Sequence, residues 1–192
     1  MRIIAGKYKG KVLSEFELSS TRPTSDLVRG AIFNMLGEKV NGCTFLDLFA
    51  GTGAMGIEAV SRNAKQVFFV DNNQESINLI KKNTSFLKEN NFKIKKSDCF
   101  EALKELSNCQ YCFDIIFIDP PYKTDLAEKC IKQIVKHDLL QNGGVVVWEH
   151  DETKNSQLDM LSDIKTKKYG KKYVTILNIN QLTNFINILK SE

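Results

Sequence analysis

An aspartate, two prolines and a tyrosine, Asp119-Pro120-Pro121-Tyr122, stand directly after the apolar run FDIIFI. Proline fixes φ and donates no backbone hydrogen bond, so the pair leaves the preceding carbonyls rigidly available as acceptors. A carboxylate and a carbonyl side by side suit a group with two hydrogens to give, such as the exocyclic amine of a nucleobase. That amine is a weak nucleophile because its lone pair is delocalised into the ring. Accepting both hydrogens at Asp119 and Pro120 would turn the lone pair toward an electrophile for in-line displacement, a gain from positioning and electrostatics that needs no covalent intermediate. Tyr122 can stack on the base, at ~1–3 kcal/mol per stacked base, which helps offset the cost of extracting it from a helix.

A second constellation lies upstream, D-L-F-A-G-T-G-A-M-G from Asp47 to Gly56. It reads as a strand, a glycine turn and the start of a helix, where backbone must approach a ligand closely. Gly51, Gly53 and Gly56 alone would equally suit NAD, so the discriminators lie outside the glycines. A dinucleotide brings a pyrophosphate, whereas S-adenosylmethionine has no phosphate and brings a sulfonium, and an acidic Asp47 ahead of the turn fits a cation better. Asp71, twenty residues past Gly51, is placed to accept from ribose hydroxyls with either cofactor. Asp98, after the next apolar run, could accept from an adenine amino group; Asn72 and Cys99 adjoin the two acids and belong to the same candidate cofactor set.

These residues need a sheet that presents its strand ends on one edge. From Thr44 the chain alternates short apolar runs with amphipathic stretches: TFLDLF, a helix from Ala54, QVFFVD, a helix from Gln74 to about Lys88, FKIKKSD, a helix around Phe100 to Leu106, FDIIFID, a helix from about Asp125 to Lys136, and GGVVVWEH. That is the rhythm of βαβ units with strands covered on both faces. Upstream, Arg2–Ala5 and Lys11–Phe16 read as a small hairpin, and Leu27, Val28, Ala31, Ile32, Met35 and Leu36 recur at helical spacing until Gly37. At the other end, YVTILNI and FINILK read as two β-like runs joined by NQLT, an antiparallel hairpin at the sheet edge.

At 192 residues, with 42% hydrophobic and 26% charged, the chain reads as one globular domain with an N-terminal appendage, residues 1–20 and 21–192. Its apolar runs are too short for an export signal or a membrane span, which places it in the cytoplasm without a membrane partner. Cys43, Cys99, Cys109, Cys112 and Cys130 read as free thiols, and the Cys109-x-x-Cys112 pair has no second half for zinc, so no metal is expected. The net charge of +4 is concentrated in Arg2, Lys7, Lys9 and Lys11 and in Lys165, Lys167, Lys168, Lys171 and Lys172, which suggests a polyanion partner.

Taken together, D-x-F-x-G-x-G followed by D-P-P-Y resembles the Rossmann-like amino-methyltransferases. The stretch R-I-I-A-G-K-Y-K-G-K from Arg2 and the R-P-T-S-D-L-V-R from Arg22 to Arg29 narrow the resemblance to the RsmD family of 16S rRNA guanine-N2 methyltransferases. It implies a seven-stranded, mostly parallel sheet with an antiparallel edge and a basic N-terminal β-hairpin. It further implies a monomeric enzyme using S-adenosyl-L-methionine, releasing S-adenosyl-L-homocysteine, and acting on 16S rRNA in the 30S subunit or its assembly intermediate. Thr24 would line the cofactor pocket, and Arg2, Lys7, Lys9 and Lys11 would hold RNA phosphate. Glu149 of the W-E-H run from Trp148 matches the family pattern, while His150 receives no role. The alternative substrate is DNA, with methylation of adenine N6 or cytosine N4, and a third reading is a dehydrogenase or a nucleotide-binding module without catalysis.

Overall fold

The computed structural model describes residues 1–16, 26–121, 125–151, 158, 160–162 and 164–191. The chain divides into two compact units, residues 1–99 and 100–192. The fold is α/β, as the alternation of runs implies.

In the first unit, α1 (Asp26–Leu36) and a single 3₁₀ turn (Gly37–Val40) lead into β1 (Thr44–Asp47), α2 (Ala54–Ser61), β2 (Gln66–Asp71), α3 (Gln74–Thr84) and β3 (Phe92–Lys96). The strands pair in parallel in the order β3-β2-β1, with Leu46 opposite Phe68 and Phe69 opposite Ile94. Val67 to Val70 are all buried, as a central parallel strand covered on both faces requires. Every residue of α2 is buried, down to its small Ala54, Gly56 and Ala59, so this helix lies close against β1 and β2. Helix α3 starts where the Asn73 side chain accepts the Glu75 N–H at 2.7 Å, and it stops at Thr84, four residues before the expected end near Lys88. The expected N-terminal hairpin is reduced to one antiparallel bridge, Arg2 with Val12, its ends anchored by buried Ile3 and Leu13.

In the second unit come α4 (Cys99–Asn108, its first residue closing the first unit), β4 (Phe113–Ile118), α5 (Leu126–Lys136), β5 (Leu140–His150), β6 (Lys165–Tyr169), β7 (Lys172–Asn178) and α6 (Ile179–Ser191). Strands β4 and β5 are parallel, β5 and β7 antiparallel, and β7 and β6 antiparallel. An antiparallel edge therefore exists, but its composition differs from the expected one. YVTILN forms β7, whereas FINILK lies in helix α6, and the hairpin partner of β7 is the lysine run of β6. The reason is periodicity: Leu182, Phe185 and Ile186 recur at i, i+3 and i+4 and form one buried face. A reciprocal cap starts α6, since the Gln181 N–H donates to Asn178 Oδ1 and the Asn178 N–H to Gln181 Oε1, each at 3.0 Å. Phe185 meets Trp148 of β5 edge-on, with ring centroids 5.6 Å apart.

Gly56 marks where the first unit is tightest. A Cβ built there would lie 2.2 Å from Cε1 of Phe69, whose ring is buried and edge-on to Phe92. A Gly→Ala change inside a helix ordinarily adds ~0.5–1 kcal/mol, whereas overpacking a core costs ~1–3 kcal/mol. The clash dominates here, so Gly56→Ala is expected to lower the urea midpoint. An unchanged or raised midpoint would remove close helix–strand approach as the reason for glycine at this position.

Candidate functional site

The glycine turn runs from Asp47 at the end of β1 to Gly53 at the start of α2, with Gly51 at φ 53° and Gly53 at φ 79°, the left-handed region that favours glycine. Four amides of the turn and the helix start are already engaged. Ala50 N–H donates to Val70 O at 2.9 Å, Gly53 N–H to Ala50 O at 2.7 Å, Gly51 N–H to Asp71 Oδ2 at 2.8 Å and Gly56 N–H to Asp47 Oδ2 at 3.0 Å. Two carboxylates thus take amides that a phosphate-binding turn would offer to its ligand. A pyrophosphate arriving here would meet the Asp71 carboxylate in place of free donors, whereas a cation would be attracted. The residues present therefore fit the sulfonium and amino group of S-adenosylmethionine better than a dinucleotide.

Asp71 joins two elements, because its Oδ1 also accepts the Asn73 N–H at 2.8 Å, ahead of α3. Ser97 N–H donates to Asp71 O at 3.0 Å, which brings the residue before Asp98 to the same strand end. Asp98 and Asn72 are exposed and Cys99 is buried. The structure accordingly gathers Asp47, Gly51, Gly53, Asp71, Asn72, Asp98 and Cys99 around the carboxyl ends of β1 to β3, where open α/β sheets bind ligands. In the second unit, Asp119, Pro120 and Pro121 follow β4 directly, Asp119 half-buried and Pro120 buried. Thr24 and Tyr122 lie outside the described residues. Among those residues, no three His, Cys, Asp or Glu side chains converge as a metal site, and all five cysteines are free.

Two residues that motif reading passed over organise the N-terminal segment. Glu58 of α2, fully buried, accepts the N–H groups of Ile4 at 2.8 Å and Ala5 at 3.0 Å, accepts Arg62 Nε at 2.8 Å, and lies 3.8 Å from Nε of buried Arg29. Asn83 of α3 donates to Ser14 O at 3.0 Å and Thr52 O at 2.9 Å and accepts the Ser14 N–H at 2.8 Å, tying that segment to the glycine turn. Their only trace in the sequence is a polar side chain on a helix face otherwise read as apolar. Gly6, at φ 80°, abuts α2 so closely that a Cβ would fall 1.8 Å from Ser61 O. Arg2, Lys7, Lys9 and Lys11 are exposed on the docked segment; Lys7 Nζ contacts Glu89 at 3.0 Å, and Lys11 Nζ lies 5.0 Å from the Phe86 ring centre.

The chain matches the family model described as conserved hypothetical protein 95 over residues 1–178. It is 38% identical over 152 residues to the protein YlbH of Bacillus subtilis, covering 79% of this chain and 83% of that one. It is 32% identical over 185 residues to ribosomal RNA small subunit methyltransferase D of Buchnera aphidicola, covering 94% and 93%. Among solved structures, the yhhF protein of Escherichia coli, provisionally named a methyltransferase, superposes with a TM-score of 0.78 at 26% identity over 92% of this chain and 96% of that one.

Burial is the main influence on the Asp47 carboxyl; the Gly56 N–H opposes it and the Asp71 charge adds to it, so its pKa is pushed up from 3.8 to about 7. Between these values the unfolded chain loses this proton and the folded chain keeps it, so stability falls as pH rises from about 4 to about 7 and levels off above. The loss is on the order of 4 kcal/mol. Asp47→Asn keeps an oxygen for the Gly56 N–H and cannot ionise, so urea midpoints from pH 4 to 8 should show the decline in the wild type and a flatter profile in the variant. Parallel profiles would contradict the buried, proton-retaining carboxyl.

Proposed function

The chain belongs to the RsmD family, and from that premise we propose that it transfers the methyl group of S-adenosylmethionine to the exocyclic N2 amine of a guanine in 16S rRNA, releasing S-adenosylhomocysteine. The observation that carries the cofactor half of this reading is the closure of the glycine-turn amides on Asp47 and Asp71. The substrate half is supported by the relatives named as small-subunit rRNA methyltransferases. S-adenosylmethionine, when bound, supplies an electrophilic methyl group on a positive sulfur.

Asp71 would accept from the ribose hydroxyls, Asp98 would accept from the adenine amine, and Asn72, Cys99 and Thr24 would line the same pocket. Gly51 and Gly53 let the backbone approach the ligand, and Asp47 holds the start of α2 in place through the Gly56 N–H. Asp119 and the Pro120 carbonyl would accept the two hydrogens of the guanine amine, Pro121 would stiffen the turn, and Tyr122 would stack on the flipped base. Arg2, Lys7, Lys9 and Lys11, on the docked segment within residues 1–20, would hold phosphate, while residues 21–192 form the methyltransferase domain. The enzyme would act as a cytoplasmic monomer on the 30S subunit or its assembly intermediate. Among the described residues, no helix is long and apolar enough to cross a membrane.

The test is methyl transfer from labelled S-adenosylmethionine to undermethylated 30S subunits, naked 16S rRNA and duplex DNA, followed by nucleoside analysis. N2-methylguanosine in the 30S product is expected; methylated adenine or cytosine in DNA would overturn the substrate reading. In the same assay, Asp119→Ala is expected to lower turnover about 100-fold or more, the range seen when one preorganised polar partner is removed, with S-adenosylhomocysteine affinity unchanged. Near-normal turnover would remove Asp119 from the reaction.

A further inference from the structure

The lysine run that became β6 is not absorbed by the site described above. Residues 164–172, IKTKKYGKK, hold five lysines and no acid. Two of these lysines are engaged locally: Lys172 pairs with buried Glu149, and Lys168 lies over the Tyr173 ring, 5.1 Å from its centre. Lys165, Lys167 and Lys171 are exposed and form no ion pair among the described residues.

Register places these charges relative to the acceptor motif. Ile118, the last residue of β4, is opposite Trp148 of parallel β5, and Asp119-Pro120 leaves β4 at the end where Glu149-His150 continues β5. His150 is opposite Tyr173 of β7, and Tyr173 is opposite Lys168 of β6. One cross-strand row therefore leads from the Asp119-Pro120 turn to the lysine hairpin, and the β6–β7 turn at Gly170 and Lys171 lies at the same end of the strands as that motif. Three strand spacings separate β4 from β6, about 14 Å in all. The row is braced by the His150 and Tyr173 rings, stacked with centroids 5.7 Å apart, and by a chain in which His150 Nε2 meets Thr175 Oγ1 and Thr175 Oγ1 meets Thr166 Oγ1, each at 2.8 Å.

Lysine on an edge strand also guards against strand-to-strand aggregation. Here Lys165 and Lys167 share one face, Lys168 takes the other, and Lys171 extends the charge into the turn. In the lysine-rich β3, by contrast, Lys93 is committed to the Phe68 ring, 5.4 Å from its centre, and Lys95 takes part in another interaction, so only exposed Lys96 compares.

We propose that the β6–β7 hairpin, through Lys165, Lys167 and Lys171, is a second RNA-backbone contact, gripping phosphates a few nucleotides from the base presented to Asp119. The inference rests on the RNA-methylating reading. Its test compares wild type, K165E/K167E/K171E and the neutral K165Q/K167Q/K171Q in methyl transfer to 30S subunits over a series of salt concentrations. Three lost phosphate contacts, each contributing ~0.7 for single-stranded RNA, should flatten the log–log salt slope by ~2 in the neutral variant and at least as much in the reversed one. KM for RNA should rise about tenfold or more in the charge-reversed variant and less in the neutral one, with kcat and S-adenosylhomocysteine affinity unchanged in both. A variant that keeps cofactor affinity, wild-type KM and wild-type slope overturns the contact while leaving the functional reading intact. A wild type that transfers nothing to RNA overturns both.

Discussion

Closure of the glycine turn by carboxylates constrains everything around it. Asp71 takes the Gly51 N–H with one oxygen and the Asn73 N–H with the other, so a single side chain fixes the turn after β1 and the approach to α3. Asp47 does the same for α2 through Gly56. Both bonds depend on α2 lying close to β2, which the missing Cβ of Gly56 permits beside Phe69. What results is a turn closed on its own carboxyl groups, unlike a phosphate-binding loop of similar sequence, whose amides face the ligand.

The N-terminal segment is built onto the same elements. Glu58 and Ser61 on α2 satisfy the backbone of Ile4, Ala5, Lys7 and Tyr8, and Asn83 on α3 links Ser14 to Thr52 in the glycine turn. Burying a carboxylate is costly unless it is paired and hydrogen-bonded, and Glu58 has two amides and a guanidinium within 3.0 Å. A segment carrying exposed Arg2, Lys7, Lys9 and Lys11 is thereby fixed to the helices that frame the glycine turn.

Much of this was legible in the residues themselves. The βαβ rhythm, the glycine turn, Asp71 and the proline turn after β4 all announce themselves through spacing or through residues with restricted backbones. The tail was misread because FINILK is apolar at nearly every position, so a short window fits strand and helix alike. The stronger signal was Asn178 and Gln181, three apart, which cap each other at the start of α6. β6 was missed because KTKKY has three lysines and no apolar alternation, and pairing with β7 makes it a strand. The anchoring roles of Glu58 and Asn83 were invisible for another reason: the backbone atoms they hold lie 31 to 69 residues away, and the one local partner, Arg62 four residues after Glu58, points only to a helix-surface ion pair.

If carboxyl-closed amides favour a phosphate-free cofactor, calorimetric titration of the wild-type protein with S-adenosylhomocysteine and with NAD tests that preference most directly. S-adenosylhomocysteine retains the amino group and adenosine of the cofactor, and the expected result is saturable binding of it with no heat from NAD. Binding of NAD without S-adenosylhomocysteine would contradict that preference, because the pyrophosphate would then have found donors that Asp47 and Asp71 occupy.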